Sequence, residues 1–249
     1  MCRHLAYLGP QATLRSVLTD PPYGLLRQSW APRQQKHGTV NADGFGVGWY
    51  ADDDPVPARY RRAVPMWGDA SFADLVRVTR TRALLAAVRS ATDGTAQVEA
   101  AAAPYAAGPW LFSHNGTLDG WPDATAGLAA TLPAAELLAL EARADSALAW
   151  ALVLHRLRAG ESPADALAGT VGDLDAAGIT GRFNFLLTDG TTIAATAAGD
   201  TLCYQIRPGQ VVVASEPFDD EPGWSSVPDR TVLTARPGVV DASPLKPAG

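Results

Sequence analysis

With 249 residues, 47% of them hydrophobic, the chain is long enough for a substantial core and has the composition of an ordinary globular protein. A formal net charge of −6, with no basic cluster denser than Arg59, Arg61 and Arg62, argues against a nucleic-acid partner, and those three read as a solvated strand face. No apolar run approaches the roughly 20 residues of a membrane span, and Cys2 and Cys203 fit neither a disulfide framework nor a metal-ligand spacing, so thiol chemistry must come from a single thiol.

The opening Met-Cys-Arg-His lacks the basic, apolar, small-residue layout of a secretory signal, and the apolar stretch after it breaks at Gly9 and Pro10, so a cytoplasmic address is expected. Residues 4–8 read as a first strand. The run from Asp43 through Gly44, Phe45, Gly46 and Val47 to Gly48 resembles a phosphate loop, but its glycines fall at every second position and Trp49-Tyr50 follows where a helix should begin. It is a turn entering a tightly packed strand over 45–50. A helix over 71–79 and strands over 84–89 and 110–114 come next, then helices over 134–142, 145–158 and 163–176. The helix over 145–158 carries Leu148, Leu152 and Leu157, with Asp145 near its start. Strands over 183–188, 191–196, 202–206, 211–214 and 231–234 close the pattern, and turns at Asp189-Gly190 and Pro208-Gly209 make them hairpins. Strands before and after a helical middle give an α+β fold of antiparallel sheets covered by helices. With no linker and no repeat, residues 1–249 read as a single domain.

Cys2 is the residue around which chemistry can be built. Removal of Met1 would put a thiol and a free α-amine on one carbon, and an α-amine titrates near pH 8, so one residue would supply both nucleophile and general base. Position alone leaves an incidental small residue as an equal reading. A thiol attacking an amide needs donors for the oxyanion, and Ser113-His114-Asn115-Gly116, at a strand end, offers the Asn115 amide and the Gly116 N–H. Read alone, Asn115-Gly116 is a turn. Arg89, opening the loop Arg89-Ser90-Ala91-Thr92, could hold a carboxylate in a two-pronged grip, and Asp145 could hold an ammonium, although alone it reads as a helix cap. Together they suit the two charges of an α-amino acid headgroup. His114 also permits a papain-like pairing with Cys2 that needs no free N-terminus.

In chain order, Met1-Cys2, the run Asn41-Ala42-Asp43-Gly44-Phe45-Gly46, Arg89-Ser90-Ala91-Thr92, His114-Asn115-Gly116 and Asp145-Ser146 resemble the class II glutamine amidotransferases over the first three-fifths of the chain. The resemblance implies a four-layer αββα Ntn-hydrolase sandwich, Cys2 as nucleophile, and Asn115 and Gly116 as oxyanion hole. It also implies Arg89 and Thr92 on a glutamyl carboxylate, Asp145 on its amine, His114 beside them, and neither metal nor organic cofactor. Val40-Asn41 stands where longer members carry Arg-Gly, so no contact is carried over there. No synthetase or phosphoribosyltransferase domain follows, which favours a stand-alone hydrolase.

Further segments, among them Gln35-Lys36-His37-Gly38, Pro65-Met66-Trp67-Gly68-Asp69 and Ser215-Glu216-Pro217-Phe218-Asp219-Asp220, look like the ergothioneine-biosynthesis branch of that family. This implies a small-molecule substrate, γ-glutamyl-hercynylcysteine S-oxide, split into glutamate and hercynylcysteine S-oxide. Its leaving part carries a trimethylammonium, for which Trp30, Trp67 and Trp224 with Asp219, Asp220 and Glu221 are candidates, against core packing and a solvated loop as the plainer readings. The alternatives are a glutaminase subunit feeding ammonia to a partner synthase and a catalytically silent ligand-binding module. No oligomeric state is assigned.

Overall fold

The computed structural model describes residues 2–92 and 94–246; Met1 lies outside them. One sheet is built from β1 (Arg3–Thr13), β2 (Phe45–Ala51), β3 (Asp54–Arg62) and β4 (Arg80–Val88). The chain then crosses to a second sheet with β5 (Tyr105–Ala107), β6 (Trp110–Leu118), β7 (Gly181–Thr188) and β8 (Ile193–Ala197). It returns to the first with β9 (Cys203–Arg207), β10 (Gln210–Ala214) and β11 (Trp224–Ser226), and finishes in the second with β12 (Thr231–Arg236) and β13 (Val239–Pro244). The strand orders are β11-β9-β10-β1-β4-β2-β3 and β13-β12-β8-β7-β6-β5, with antiparallel pairing throughout.

Side-chain alternation decides the layers. On β1, Leu5 and Tyr7 pack outward against α1 (Leu14–Leu18), α2 (Leu25–Gln28) and α3 (Ala70–Val78), in a cluster with Val17, Phe72 and Val76. The intervening Ala6 and Leu8 face inward and meet Leu111, Leu186 and Ala195 of the second sheet. That sheet turns Phe112, Phe185 and Leu187 outward, against Trp150 and Val153 of α6 (Asp145–Arg158) and Leu167 and Leu174 of α7 (Pro163–Ala176). The short α4 (Ala126–Ala129) and α5 (Ala134–Leu138) pack on α6 through Leu128, Leu137 and Leu152. The chain thus forms the expected α+β sandwich in four layers, helices, sheet, sheet, helices.

Local sequence sets several boundaries. Asp69 caps α3 by accepting from Ser71 N and Phe72 N, and Ser162 caps α7 with Pro163 in its first turn. The alternating glycines of β2 bring the sheets close, as their reading as a packed strand requires: a Cβ on Gly46 would stand 2.4 Å from Ala103 O, and one on Gly48 2.6 Å from Leu111 Cδ2. The helix expected over 134–142 stops at Leu138. Arg59, Arg61 and Arg62 do lie on a strand, β3, and Arg62 is solvated as expected, but Arg59 and Arg61 are half-buried and hold Glu141 at 2.9 and 2.7 Å.

Candidate active site

Cys2 precedes β1 at the middle of its sheet, where the C-terminal ends of β4 and β10 flank it; Arg3 pairs with Val88, and Leu5 with Ala214. Alternation puts Cys2 on the inward face with His4 and Ala6, looking across the sandwich at the inward face of β6, which carries Leu111, Ser113 and Asn115. Two polar rungs join these faces. Cys2 N lies 3.2 Å from Asn115 Oδ1, and His4 Nδ1 lies 3.1 Å from Ser113 Oγ. Ser215, just past β10, completes the group: its Oγ accepts from His4 N at 3.0 Å and from Asn115 Nδ2 at 3.4 Å. Cys2 Sγ lies 3.9 Å from Ser90 O. Burial, with the nearby charges of Arg3 and His114, pushes the His4 imidazole down to about 3, so it is neutral at working pH. Sequence reasoning gave no part to His4 or Ser215, because no spacing marks residues that meet only through the fold.

Asn115-Gly116 is neither the turn that the dipeptide alone suggests nor the strand end expected for it; both residues lie inside β6, opposite Asn184 and Phe183. Gly116 is required by contact rather than by a turn, since a Cβ would fall 1.8 Å from Arg182 O. Phe183 gives its N–H to Ala198 O and receives Thr196 Oγ1 on its carbonyl, so its backbone faces β8. The N–H groups of Phe112, His114, Gly116 and Leu118 therefore point away from β7. At one end of this row Phe112 pairs with Tyr105 of β5; at the other, Leu118 N donates to Asp145 Oδ2 at 3.2 Å. The Gly116 N–H thus stands about 7 Å along the strand from the donor that fixes Asp145. That spacing is commensurate with the reach of a glutamyl side chain from γ-carbonyl to α-amine.

Asp145 is the first residue of α6, not its cap; Ala144 holds that position without a side-chain bond. The buried carboxylate accepts instead from Leu118 N, from Ser146 N at 2.8 Å and from Thr92 Oγ1 at 3.4 Å. A helix N-terminus favours its negative charge.

Arg89, buried at the end of β4, is oriented by its own loop. Nη2 donates to Thr95 Oγ1 at 2.9 Å and Ala96 O at 3.0 Å, and Nη1 to Asp43 O at 3.4 Å. Asp43 Oδ2 accepts Ala91 N at 2.8 Å and closes the turn. The two-pronged grip is therefore not what this arrangement offers. Both forks of a guanidinium use Nη2, whose two hydrogens are engaged, so a carboxylate would be met by Nη1.

On the outward face of β1, Arg3 is fully buried with Nε 3.7 Å from Glu216 Oε2 and Nη1 3.7 Å from Asp200 Oδ1. Glu216 also accepts Arg33 N at 2.8 Å and Gln34 N at 2.9 Å, so this charge cluster ties the nucleophile strand to the loop over 30–43.

Of the remaining expected residues, His114 adjoins Gly116, and the tryptophans fall into two separate groups. His114 turns to the helix face of its sheet, its Nε2 2.8 Å from Arg182 O and its ring edge-on to Phe185, opposite the face that carries Asn115. The papain-like pairing with Cys2 is thereby removed. Trp30 and Trp67 form an exposed edge-to-face pair at 5.8 Å. Trp224 lies elsewhere, on β11, packing on Phe218 and donating to Asp219 at 2.8 Å. Asp219 also pairs with Arg207, and Asp220 with Arg33, so these acids of the run are already engaged. They line a cavity with Tyr7, Val17 and Phe218 to which Cys2, Arg89, Asn115 and Asp145 do not contribute. Cys203, in β9, is buried with Sγ 3.4 Å from Ala214 O, and burial pushes its thiol well up. Among the described residues no group of three His, Cys, Asp or Glu side chains could hold a metal ion, and no helix is long and apolar enough to cross a membrane.

Residues 17–209 match the class-II glutamine amidotransferases. A Mycolicibacterium smegmatis protein named gamma-glutamyl-hercynylcysteine sulfoxide hydrolase is 44% identical over 245 residues, 98% of this chain and 100% of its own length. A Mycobacterium tuberculosis protein of the same name is 45% identical over 234 residues, 94% of this chain and 92% of its own. Among solved structures, a glutamine aminotransferase class-II domain protein from Silicibacter pomeroyi superposes with a TM-score of 0.71 at 23% identity, covering 99% of this chain and 100% of that one. Glutamine phosphoribosylpyrophosphate amidotransferase from B. subtilis gives 0.68 at 14% identity, over 98% of this chain and 49% of that one.

Proposed function

This chain belongs to the class II glutamine amidotransferases, and from that premise we propose that it is an amidohydrolase releasing glutamate from γ-glutamyl-hercynylcysteine S-oxide through a Cys2 thioester. The observation that carries the reading is the pairing of Cys2 N with Asn115 Oδ1 at 3.2 Å, with Asp145 fixed by Leu118 N of β6 and Arg89 by its own loop. Once Met1 is removed, the nitrogen at that position is a primary amine. It takes the thiol proton as Sγ attacks the γ-carbonyl, and Asn115 Nδ2 and Gly116 N receive the oxyanion, each donor of this kind being worth about 2.7–4 kcal/mol of barrier. The ammonium returns its proton to the departing nitrogen, and water then releases glutamate from the thioester. Arg89 Nη1 and Thr92 hold the α-carboxylate, and Asp145 holds the α-ammonium.

The leaving part is assigned to Trp67 of the exposed Trp30–Trp67 pair, because Trp30 already carries the Arg27 guanidinium at 5.4 Å and Trp224 is committed to Phe218 and Asp219. A cation–π contact there contributes about 0.5–2 kcal/mol. The reading includes a cytoplasmic setting, supported by two free cysteines, which persist where the milieu is reducing.

The test is glutamate release, followed by mass spectrometry, from γ-glutamyl-hercynylcysteine S-oxide and from glutamine, with protein verified to begin at Cys2 and with Cys2→Ala. Release from the S-oxide by the first protein and none by the second is expected. Release from glutamine alone would favour an ammonia-supplying subunit, and release from neither would favour a silent module.

A further inference from the structure

Asn115 has two tasks in this site, and they require its amide to face one way. Oδ1 must face the Cys2 nitrogen, since a donor there would oppose a donor; Nδ2 must then face the attacked carbonyl. The Cys2 nitrogen selects that orientation, and a second contact is needed to keep the amide plane from rotating about its side-chain bond.

We propose that Ser215 is a positioning residue that holds the amide in that orientation: its Oγ accepts one N–H of Asn115 at 3.4 Å, while the Cys2 nitrogen fixes Oδ1, leaving the second N–H for the oxyanion. The inference rests on the reading of Cys2 as nucleophile. The serine is itself fixed. Its N–H donates to His4 O at 2.9 Å, and its Oγ accepts His4 N at 3.0 Å, so the hydroxyl oxygen is registered against the same strand that carries Cys2. Ser215 and Asn115 are both fully buried, so a partner removed from either leaves a buried polar group unpaired. One side chain thereby registers nucleophile strand and oxyanion donor to each other, from positions 100 residues apart.

The experiment compares wild type, Ser215→Ala and Ser113→Ala, each verified to begin at Cys2. Three quantities are read: kcat and KM for γ-glutamyl-hercynylcysteine S-oxide, the rate of Cys2 alkylation by a chloroketone analogue of glutamine, and the thermal midpoint. Alkylation at the chloromethyl carbon needs the thiol and the headgroup contacts but leans little on the oxyanion donors. For Ser215→Ala we expect kcat to fall by about tenfold or more, with KM and the alkylation rate within about twofold to threefold of wild type. Ser113→Ala, which breaks the His4 rung without touching Asn115, is expected to lower the midpoint and keep kcat.

Wild-type kcat in Ser215→Ala overturns the inference alone. So does a uniform fall of kcat, KM performance and alkylation in both variants, which is the mark of a merely structural role. If wild type itself releases no glutamate, the functional reading falls first and this inference with it. Should Ser215→Ala not fold, Ser215→Cys fills the site with a weaker acceptor and is expected to show the same split.

Discussion

A neutral imidazole locked between two sheets makes His4 sensitive to acid. Its native value of about 3 lies below the ordinary 6.5, so between those limits the unfolded chain binds a proton that the native protein does not. Stability from this residue is fully present above pH 6.5 and is lost as the pH falls toward 3. Each unit below the unfolded value costs about 1.4 kcal/mol, or about 2 kcal/mol by pH 5. The urea midpoint of wild type is therefore expected to drop between pH 7 and pH 5 by more than that of His4→Gln; equal drops would show that the imidazole is not held neutral. His114, whose value is lowered chiefly by burial, adds to the loss with the same sign. At this scale the sequence singled out Cys2, Arg89, Asn115 and Asp145 by motif order, and the fold sets Cys2 against Asn115 and Thr92 against Asp145. The sequence was silent on Ser215, because a serine past a strand end gains its meaning only from an asparagine in another sheet.

The secondary elements show where one-dimensional reading stops. All nine expected strands lie wholly or largely within observed ones, and the strands without a sequence signal, β3, β5, β11 and β13, are those that end the two sheets. Edge strands bury one side poorly and carry devices against further pairing: β3 holds Pro55, Pro57 and three arginines, and β13 is largely exposed. Hydrophobic alternation is weak where there is no second neighbour to bury against. The helix α6 was legible because its apolar residues from Ala147 to Val153 are all buried. That Asp145 stands at its start was legible too; that Leu118 N of β6 fixes the carboxylate was not. Asp145→Asn is expected to raise KM for a γ-glutamyl amide by about tenfold, the range of a charge-assisted hydrogen bond. The glutaryl analogue, which lacks the α-amine, should be unaffected; an equal rise for both would place Asp145 in structure rather than recognition.

Across the whole molecule, the most exposed liability is the buried cluster of Arg3, Glu216 and Asp200, which joins the central strand to the β8–β9 crossover and to the loop over 30–43. Its two ion pairs are long, 3.7 Å each, and Arg3 Nη2 and Asp200 Oδ2 have no hydrogen-bond partner among the described residues, so the cluster is no strong source of stability. Losing one member is another matter. Arg3→Met leaves two carboxylates buried without their cation and is expected to cost about 3–5 kcal/mol in urea unfolding, while Arg3→Met combined with Glu216→Gln and Asp200→Asn recovers part of that loss. A cost near zero for the single change would mean that the carboxylates find other partners.

The contrast between the two sulfurs has a practical side. Cys203 is sealed inside β9 with its thiol held protonated, while Cys2 is partly open. A maleimide reporter applied to folded protein would mark one sulfur per molecule, and the labelled fraction, read beside the residue at which each chain starts, would count the competent enzymes in a preparation.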